Sequence, residues 1–322
     1  MEKLFNSPLP ELLRKKSPAP RRPCVWLAVA VALAAGSGCS IKRYAINRLG
    51  DSLAASGTTY ASDDDPELIR EALPFGLKLI ESLLAESPRH RGLLFAAASG
   101  FTQYAYAFVH QDADEMEERD LAVSTLLKTR ARRLYLRARS YGMRGLEVRH
   151  PGLETQLRDD PAAAAVRLTR ADVPLAYWTA VSWAAAISVS KDNPDLVAEQ
   201  PMVETLIDRA VNLNEDFDQG AIQSFLITYE MGRPGGETGA AARSRKRFAR
   251  AMELTGGHQA SPLVSLAENV SVPAQNRKEF EELLKRAIEI DADAKPDYRL
   301  ANLVAQRRAR WLLGRVDRLF VD

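Results

Sequence analysis

Apolar residues recur at three- and four-residue steps through most of the chain. Leu68, Ile69, Ala72, Leu73, Gly76, Leu79, Ile80, Leu83 and Leu84 set the pattern, which lays one apolar stripe along a helix. No stretch alternates apolar and polar positions with period two, and no Asn-Gly or Asp-Gly pair marks a hairpin. The pattern predicts an all-α fold. Asp63-Asp64-Asp65-Pro66 opens the main helical region, with Asp at the N-cap, Pro at the first helical position and acids near the positive helix end. A metal site is the alternative reading of the three aspartates. Residues 40–62 read as a tether with an opening amphipathic segment (Ile41, Ala45, Ile46, Leu49), which Gly57-Thr58-Thr59 interrupts. Polar or Pro/Gly-rich stretches at 112–118, 158–161, 191–201 and 232–239 read as loops between helices.

The helical segments repeat. A helix ending in a small residue and an aliphatic, then a polar turn, then another helix, recurs from Leu83, Ala210, Ala251 and Ala287. The last three alanines lie 41 and 36 residues apart, close to the tetratricopeptide period of about 34. One helix pair cannot bury its own stripe, so stacked neighbours supply the missing wall and leave a concave face. This predicts a tetratricopeptide-like α-solenoid, with alanine where helices cross closely.

The start of the chain has a different character. Residues 25–35 are continuously apolar, too short for the roughly 20-residue span of a bilayer but suited to a signal peptide. Gly36-Ser37-Gly38-Cys39-Ser40 follows and resembles a bacterial lipobox, with Gly36 where Leu is usual. The reading is a signal peptide over 1–38, lipidation at Cys39, a tether and opening helix over 39–62, and a helical repeat domain over 63–322. An ordinary signal peptide beside a chance cysteine is the alternative. Arg21-Arg22 lacks the Phe-Leu that twin-arginine export prefers, so general secretion is expected. Ser40, by the sorting rule that the lipobox resemblance brings with it, points to the outer membrane, facing the periplasm.

Charge and composition narrow the function. The chain has 44 basic and 42 acidic residues, but six basic and two acidic ones lie in residues 1–38, leaving 38 and 40. A near-neutral body gives no electrostatic case for nucleic-acid binding. Cys24 and Cys39 are the two cysteines, so residues 40–322 offer no thiol nucleophile, disulfide or Cys-ligated metal. His90, His110, His150 and His258 form no His-Glu-x-x-His pattern and read as surface residues near turns. There is no Gly-x-Ser-x-Gly elbow. The glycine-rich 232–239 lacks the lysine of a phosphate loop and reads as a flexible connection. No cofactor, metal or catalytic group is expected.

Two groups stand out from the solvated background. Arg133, Arg137 and Arg144 share one helix face with Tyr141, suiting an anionic partner or internal ion pairs. Tyr104, Tyr106 and Phe108 alternate near one helix end, and Tyr177, Trp178 and Trp183 crowd another. These rings either fill the core or line a groove that meets a partner or ligand.

Several stretches together resemble a known family. They are Asp63-Asp-Asp-Pro-Glu-Leu68, Ala72-Leu-Pro-Phe-Gly-Leu-Lys-Leu-Ile-Glu81, Ser99-Gly-Phe-Thr-Gln-Tyr-Ala-Tyr-Ala-Phe108, residues 130–139, Tyr177-Trp178 with Trp183-Ala184, and Arg299–Leu313. From about Cys39 onward the chain resembles the TRAP-transporter associated T proteins (TatT family), periplasmic lipoproteins with degenerate tetratricopeptide repeats. Arg247-Phe248 departs from a His-Phe pair of that pattern. The resemblance implies a helical protein that forms trimers and pairs with the ligand-binding protein of a tripartite ATP-independent transporter. It also implies a hydrophobic or carboxylate ligand. A generic tetratricopeptide scaffold for envelope assembly and an envelope hydrolase are the competing readings.

The lipidation reading has a direct test. Cys39→Ala is expected to move the protein from the detergent phase to the aqueous phase on partitioning, because each buried acyl methylene contributes about 0.8 kcal/mol of membrane affinity. A variant that still enters the detergent would place the anchor elsewhere.

Overall fold

The computed structural model describes Arg48, residues 57–236 and residues 238–321. The export segment and Cys39 lie outside the described residues. Among the described residues there are helices and turns and no strand, so the chain is all-α. The helices are α1 (Gly57–Ala61), α2 (Pro66–Glu86), α3 (Arg91–Ala105), α4 (Gln111–Met116), α5 (Leu121–Glu147), α6 (Leu153–Asp159), α7 (Pro161–Arg167) and α8 (Val173–Ser188). They continue with α9 (Pro194–Val197), α10 (Gln200–Leu213), α11 (Phe217–Tyr229), α12 (Ala240–Thr255), α13 (Ser261–Leu266), α14 (Arg277–Glu289), α15 (Arg299–Leu313) and α16 (Val316–Leu319). Two π-helical turns interrupt this series, Tyr106–His110 between α3 and α4 and Ala267–Ser271 after α13.

Local chemistry fixes the helix starts. Asp65 caps α2 by accepting from the backbone N–H groups of Glu67 and Leu68, both at 3.0 Å, and Pro66 takes the first turn. Asp63 accepts from the Asp65 N–H at 2.8 Å. Asp120, Asp160, Asn193 and Asn276 cap α5, α7, α9 and α14 in the same way. Gly57-Thr58-Thr59, expected to break a helix, lies inside α1. The expected loop at 112–118 is helical through Met116 and opens only before Asp120, because the acids of α4 are paired with arginines from α15. The stretch at 191–201 holds α9 and the start of α10.

The stripes pack into two cores. One gathers Ile69, Leu93, Tyr135, Leu146, Trp183, Leu206 and Ile222, and the other Ile227, Leu263, Phe280, Leu284 and Ala309. Ala210, Ala251 and Ala287 are fully buried, as close helix crossings require. Helix α5 packs closely on α8, where a Cβ on Gly142 would meet Thr179 and one on Gly145 would stand 2.6 Å from Leu175. The α2 stripe is wider than the core needs, since Ile69, Leu77 and Leu84 are buried while Leu68 and Leu79 are exposed.

Helix α11 joins the two cores, because Ile222 and Leu226 face one and Ile227 the other. It begins with a left-handed triplet, Asp218 (φ 47°), Gln219 (φ 52°) and Gly220 (φ 96°). Two of these residues are not glycine, so the turn is strained by about 1–3 kcal/mol for each. Gln219 is held by Lys295, whose Nζ donates to its Oε1 at 2.9 Å, and by the Tyr298 hydroxyl. Phe217 packs tilted against Tyr177 at 5.5 Å. Finally, α15 returns to pack on α1 and α2, so the series of packed helices closes on itself.

A buried carboxylate locks the middle of the first core. Asp172 is 0% exposed and accepts from Arg91 (2.8 Å), Arg149 (3.2 Å), His150 (2.9 Å), the Thr169 hydroxyl (2.7 Å) and the Thr169 N–H (3.0 Å). His150 is therefore a partner of a buried acid and not a surface residue. Burial alone would raise the Asp172 pKa, but the hydrogen bonds from His150 and Thr169 outweigh it and hold the group at about 2. Its folded pKa lies below the ordinary 3.8, so its contribution is complete above about pH 4 and lost as pH falls toward 2. That contribution is about 2 kcal/mol. Asp172→Ala strands the cations and is expected to cost about 3 kcal/mol at neutral pH. Urea titrations should also show that the variant loses less stability than the wild type between pH 4 and pH 2, the difference being the share of Asp172.

Candidate functional site

Residues 104, 106 and 108 alternate, and successive steps of about 200° on a helix send the middle ring away from its neighbours. Tyr104 and Phe108 are buried and meet at 5.8 Å. Arg130 donates to the Tyr104 hydroxyl at 3.2 Å, and the Arg70 guanidinium sits 5.0 Å from the Phe108 ring. Tyr106 is 50% exposed. Desolvation by the surrounding protein nevertheless raises its phenol pKa.

The second aromatic group divides similarly. Trp183 is fully buried, donates from Nε1 to Glu199 at 2.8 Å, and carries the Arg139 guanidinium 3.8 Å from its ring. Tyr177 is buried and donates to the Ala221 carbonyl at 3.3 Å; burial pushes its pKa well up, with Asp218 adding to the effect. Trp178 is half-buried and meets Tyr177 edge to face at 5.0 Å. Tyr106 and Trp178 are therefore the rings that reach the surface, while Tyr104, Phe108, Tyr177 and Trp183 stand in the core.

The arginine face is partly used internally. Glu81 forms an ion pair with Arg137 Nε at 2.5 Å and accepts from the Tyr141 hydroxyl at 2.7 Å, and Arg137 lies 5.1 Å from the Phe101 ring. Burial opposes ionisation of Glu81, but Lys78, Tyr141 and Arg137 together hold its pKa below the ordinary value. Arg144 covers Tyr141 at 5.2 Å. Arg133, one turn from Arg137, is exposed and has no ion pair among the described residues. Where the family pattern has His, Arg247 donates to Glu230 at 3.2 Å and to Gln223 at 3.3 Å, so it holds a helix contact. A cleft of about 300 Å³ between α12 and α14, lined by Arg245, Phe248, Glu279 and Arg286, shares no residue with these groups.

Sequence reasoning missed a third group, at the seam where α15 meets α4. Arg307 pairs with Asp112 (2.7 Å) and Glu115 (2.8 Å). Arg308 pairs with Asp114 (2.8 Å) and with Glu268 of the second π-helical turn. His110 meets the Tyr135 hydroxyl at 3.1 Å. Burial outweighs Asp114 and lowers its pKa, so it is neutral near pH 7 and is not the solvated residue expected. Separations of more than 190 residues between the α15 arginines and the α4 acids leave no local signal for those pairs. Among the described residues, no three His, Cys, Asp or Glu side chains converge as metal ligands, and no helix is long and apolar enough to cross a membrane.

Against known proteins, the chain is 29% identical over 304 residues to a protein of Treponema pallidum (strain Nichols) described as uncharacterized, covering 89% of this chain and 94% of that one. A family model described as TRAP transporter T-component matches residues 62–320, which spans nearly all of the described helices. That family comprises accessory components of transporters, and the chain belongs to the TRAP transporter T-component family.

Proposed function

We propose that this protein is a non-catalytic lipoprotein on the periplasmic face of the envelope, anchored through Cys39 in the outer membrane. It binds the ligand-binding protein of a TRAP-type transporter and assists uptake of a small hydrophobic or carboxylate-bearing ligand. The observation that carries this reading is the T-component match across residues 62–320. In this reading residues 39–62 are the tether, and 63–322 form tetratricopeptide-like helix pairs that assemble as a homotrimer. The fully buried alanines at crossing points support that repeat arrangement.

The partner surface follows from exposure. Tyr106 and Trp178 are the rings of the two aromatic groups with surface to offer, and Arg133 is an exposed arginine with no ion pair among the described residues. Rings with polar tips give contact area at small entropic cost, and an exposed Arg suits an acidic partner. The buried rings hold this surface in place.

Affinity and stability separate the two roles. Tyr106→Ala and Trp178→Ala are expected to leave the melting temperature nearly intact and to weaken binding of the transporter's ligand-binding protein by about 2 kcal/mol. Trp183→Ala is expected to cost about 3–5 kcal/mol of stability. Calorimetry and thermal unfolding on the three variants check this. Unchanged binding in both surface variants would move the interface elsewhere and favour a general assembly scaffold.

A further inference from the structure

Gln111 is 2% exposed, and neither its amide nitrogen nor its amide oxygen has a hydrogen-bond partner. Burying an amide with both ends unsatisfied is costly, and native structures seldom tolerate it without a reason. The backbone explains how Gln111 reaches this place. Its N–H donates to the Tyr106 carbonyl five residues back, closing the first π-helical turn. In an α-helix residues five apart diverge by about 140°. The wider π coil brings Gln111 and Tyr106 round to the same side, and such turns concentrate at functional sites. The Gln111 amide faces the Tyr106 hydroxyl without hydrogen-bonding to it in ordinary geometry. Tyr106 in turn is half-exposed.

The charges around this pair come from both π-helical turns. Asp114 follows the first, Glu268 lies in the second, and Arg308 bridges them. All three act on Tyr106. We infer that Gln111 and Tyr106 form a polar subsite at this seam, which takes an uncharged ligand group that both donates and accepts hydrogen bonds, a carboxamide above all. A carboxylate would satisfy the amide N–H groups but leave the Gln111 carbonyl unpaired and face Asp114 and Glu268. An ammonium would satisfy the carbonyl and strand the N–H groups. A carboxamide answers both ends at once, while Arg308 keeps the two acids occupied. The subsite is separate from the carboxylate-bearing or hydrophobic ligand of the transport reading above, and its test needs no transporter partner, so either can fail alone.

The test uses the full mature chain in detergent and three probes with the same tail: propionamide, propionate and propylammonium. Saturation-transfer NMR is expected to report propionamide binding, with the two charged probes about tenfold weaker or more, the worth of one lost hydrogen bond. Gln111→Met, similar in volume, should abolish the signal while holding or raising the melting temperature, since it removes an unsatisfied amide. Tyr106→Phe, which alters only a hydroxyl at a half-exposed ring, should weaken the propionamide signal without affecting folding. Equal binding of propionate, no propionamide signal in the wild type, or a signal unchanged in both variants would overturn the proposal. So would a clear fall in melting temperature for Gln111→Met, which would mean that the amide serves the fold, through an ordered water or a side chain.

Discussion

The pairing of two neighbouring arginines, Arg307 and Arg308, with acids from distant segments is what the rest of the structure depends on. Adjacent residues on a helix point about 100° apart, so the two reach different partners. Arg307 takes Asp112 and Glu115, while Arg308 takes Asp114 and Glu268. Arg308 is nearly buried, and a guanidinium there is tolerable only when its charge is matched and its donors are used. Burial works against its protonation, and the carboxylates more than restore it. One short stretch of α15 thereby fixes α4 and both π-helical turns in a single arrangement.

The same device recurs. Asp172 and Glu230 are buried acids, the first met by Arg91 and Arg149 from different segments and the second by Arg243 and Arg247 of α12. Stripes rich in Leu and Ala allow one helix to slide along another with small changes in buried area. A buried charge does not, because it must meet its partner or stand alone at a cost of several kcal/mol. Apolar burial therefore drives the packing, and these buried charges select its register.

The helical class, the Asp65 cap and the crossing alanines were legible because their signals are local. Period, cap chemistry and small residues act within a turn or two of the chain. The helix through 112–116 was illegible for the opposite reason. Its acidic run resembles a solvated loop until arginines almost two hundred residues later neutralise it. His150 reads as exposed until Asp172 is brought beside it. The aromatic positions were visible as residue types, but their division into core and surface was not. That division depends on the π-helical coil at Tyr106 and on which side of α8 the other helices cover. Gln111 carried no signal at all, since an orphaned amide is defined only by what surrounds it.

The return of α15 onto α1 and α2 has a consequence for how such a molecule can evolve. Open arrays of helical repeats end in caps with a polar outer face, and their stability is roughly a sum over neighbours. Such arrays lengthen or shorten by duplicating or deleting a unit near an end. Here α15 packs on α1 and α2, and Arg299 donates at 2.8 Å to the Ser62 carbonyl across the join. Adding or removing one helix pair would rotate α15 away from its acids and break the circuit. Closure therefore works against gain or loss of a helix pair, leaving side-chain substitution and loop variation as the routes by which lineages can diverge.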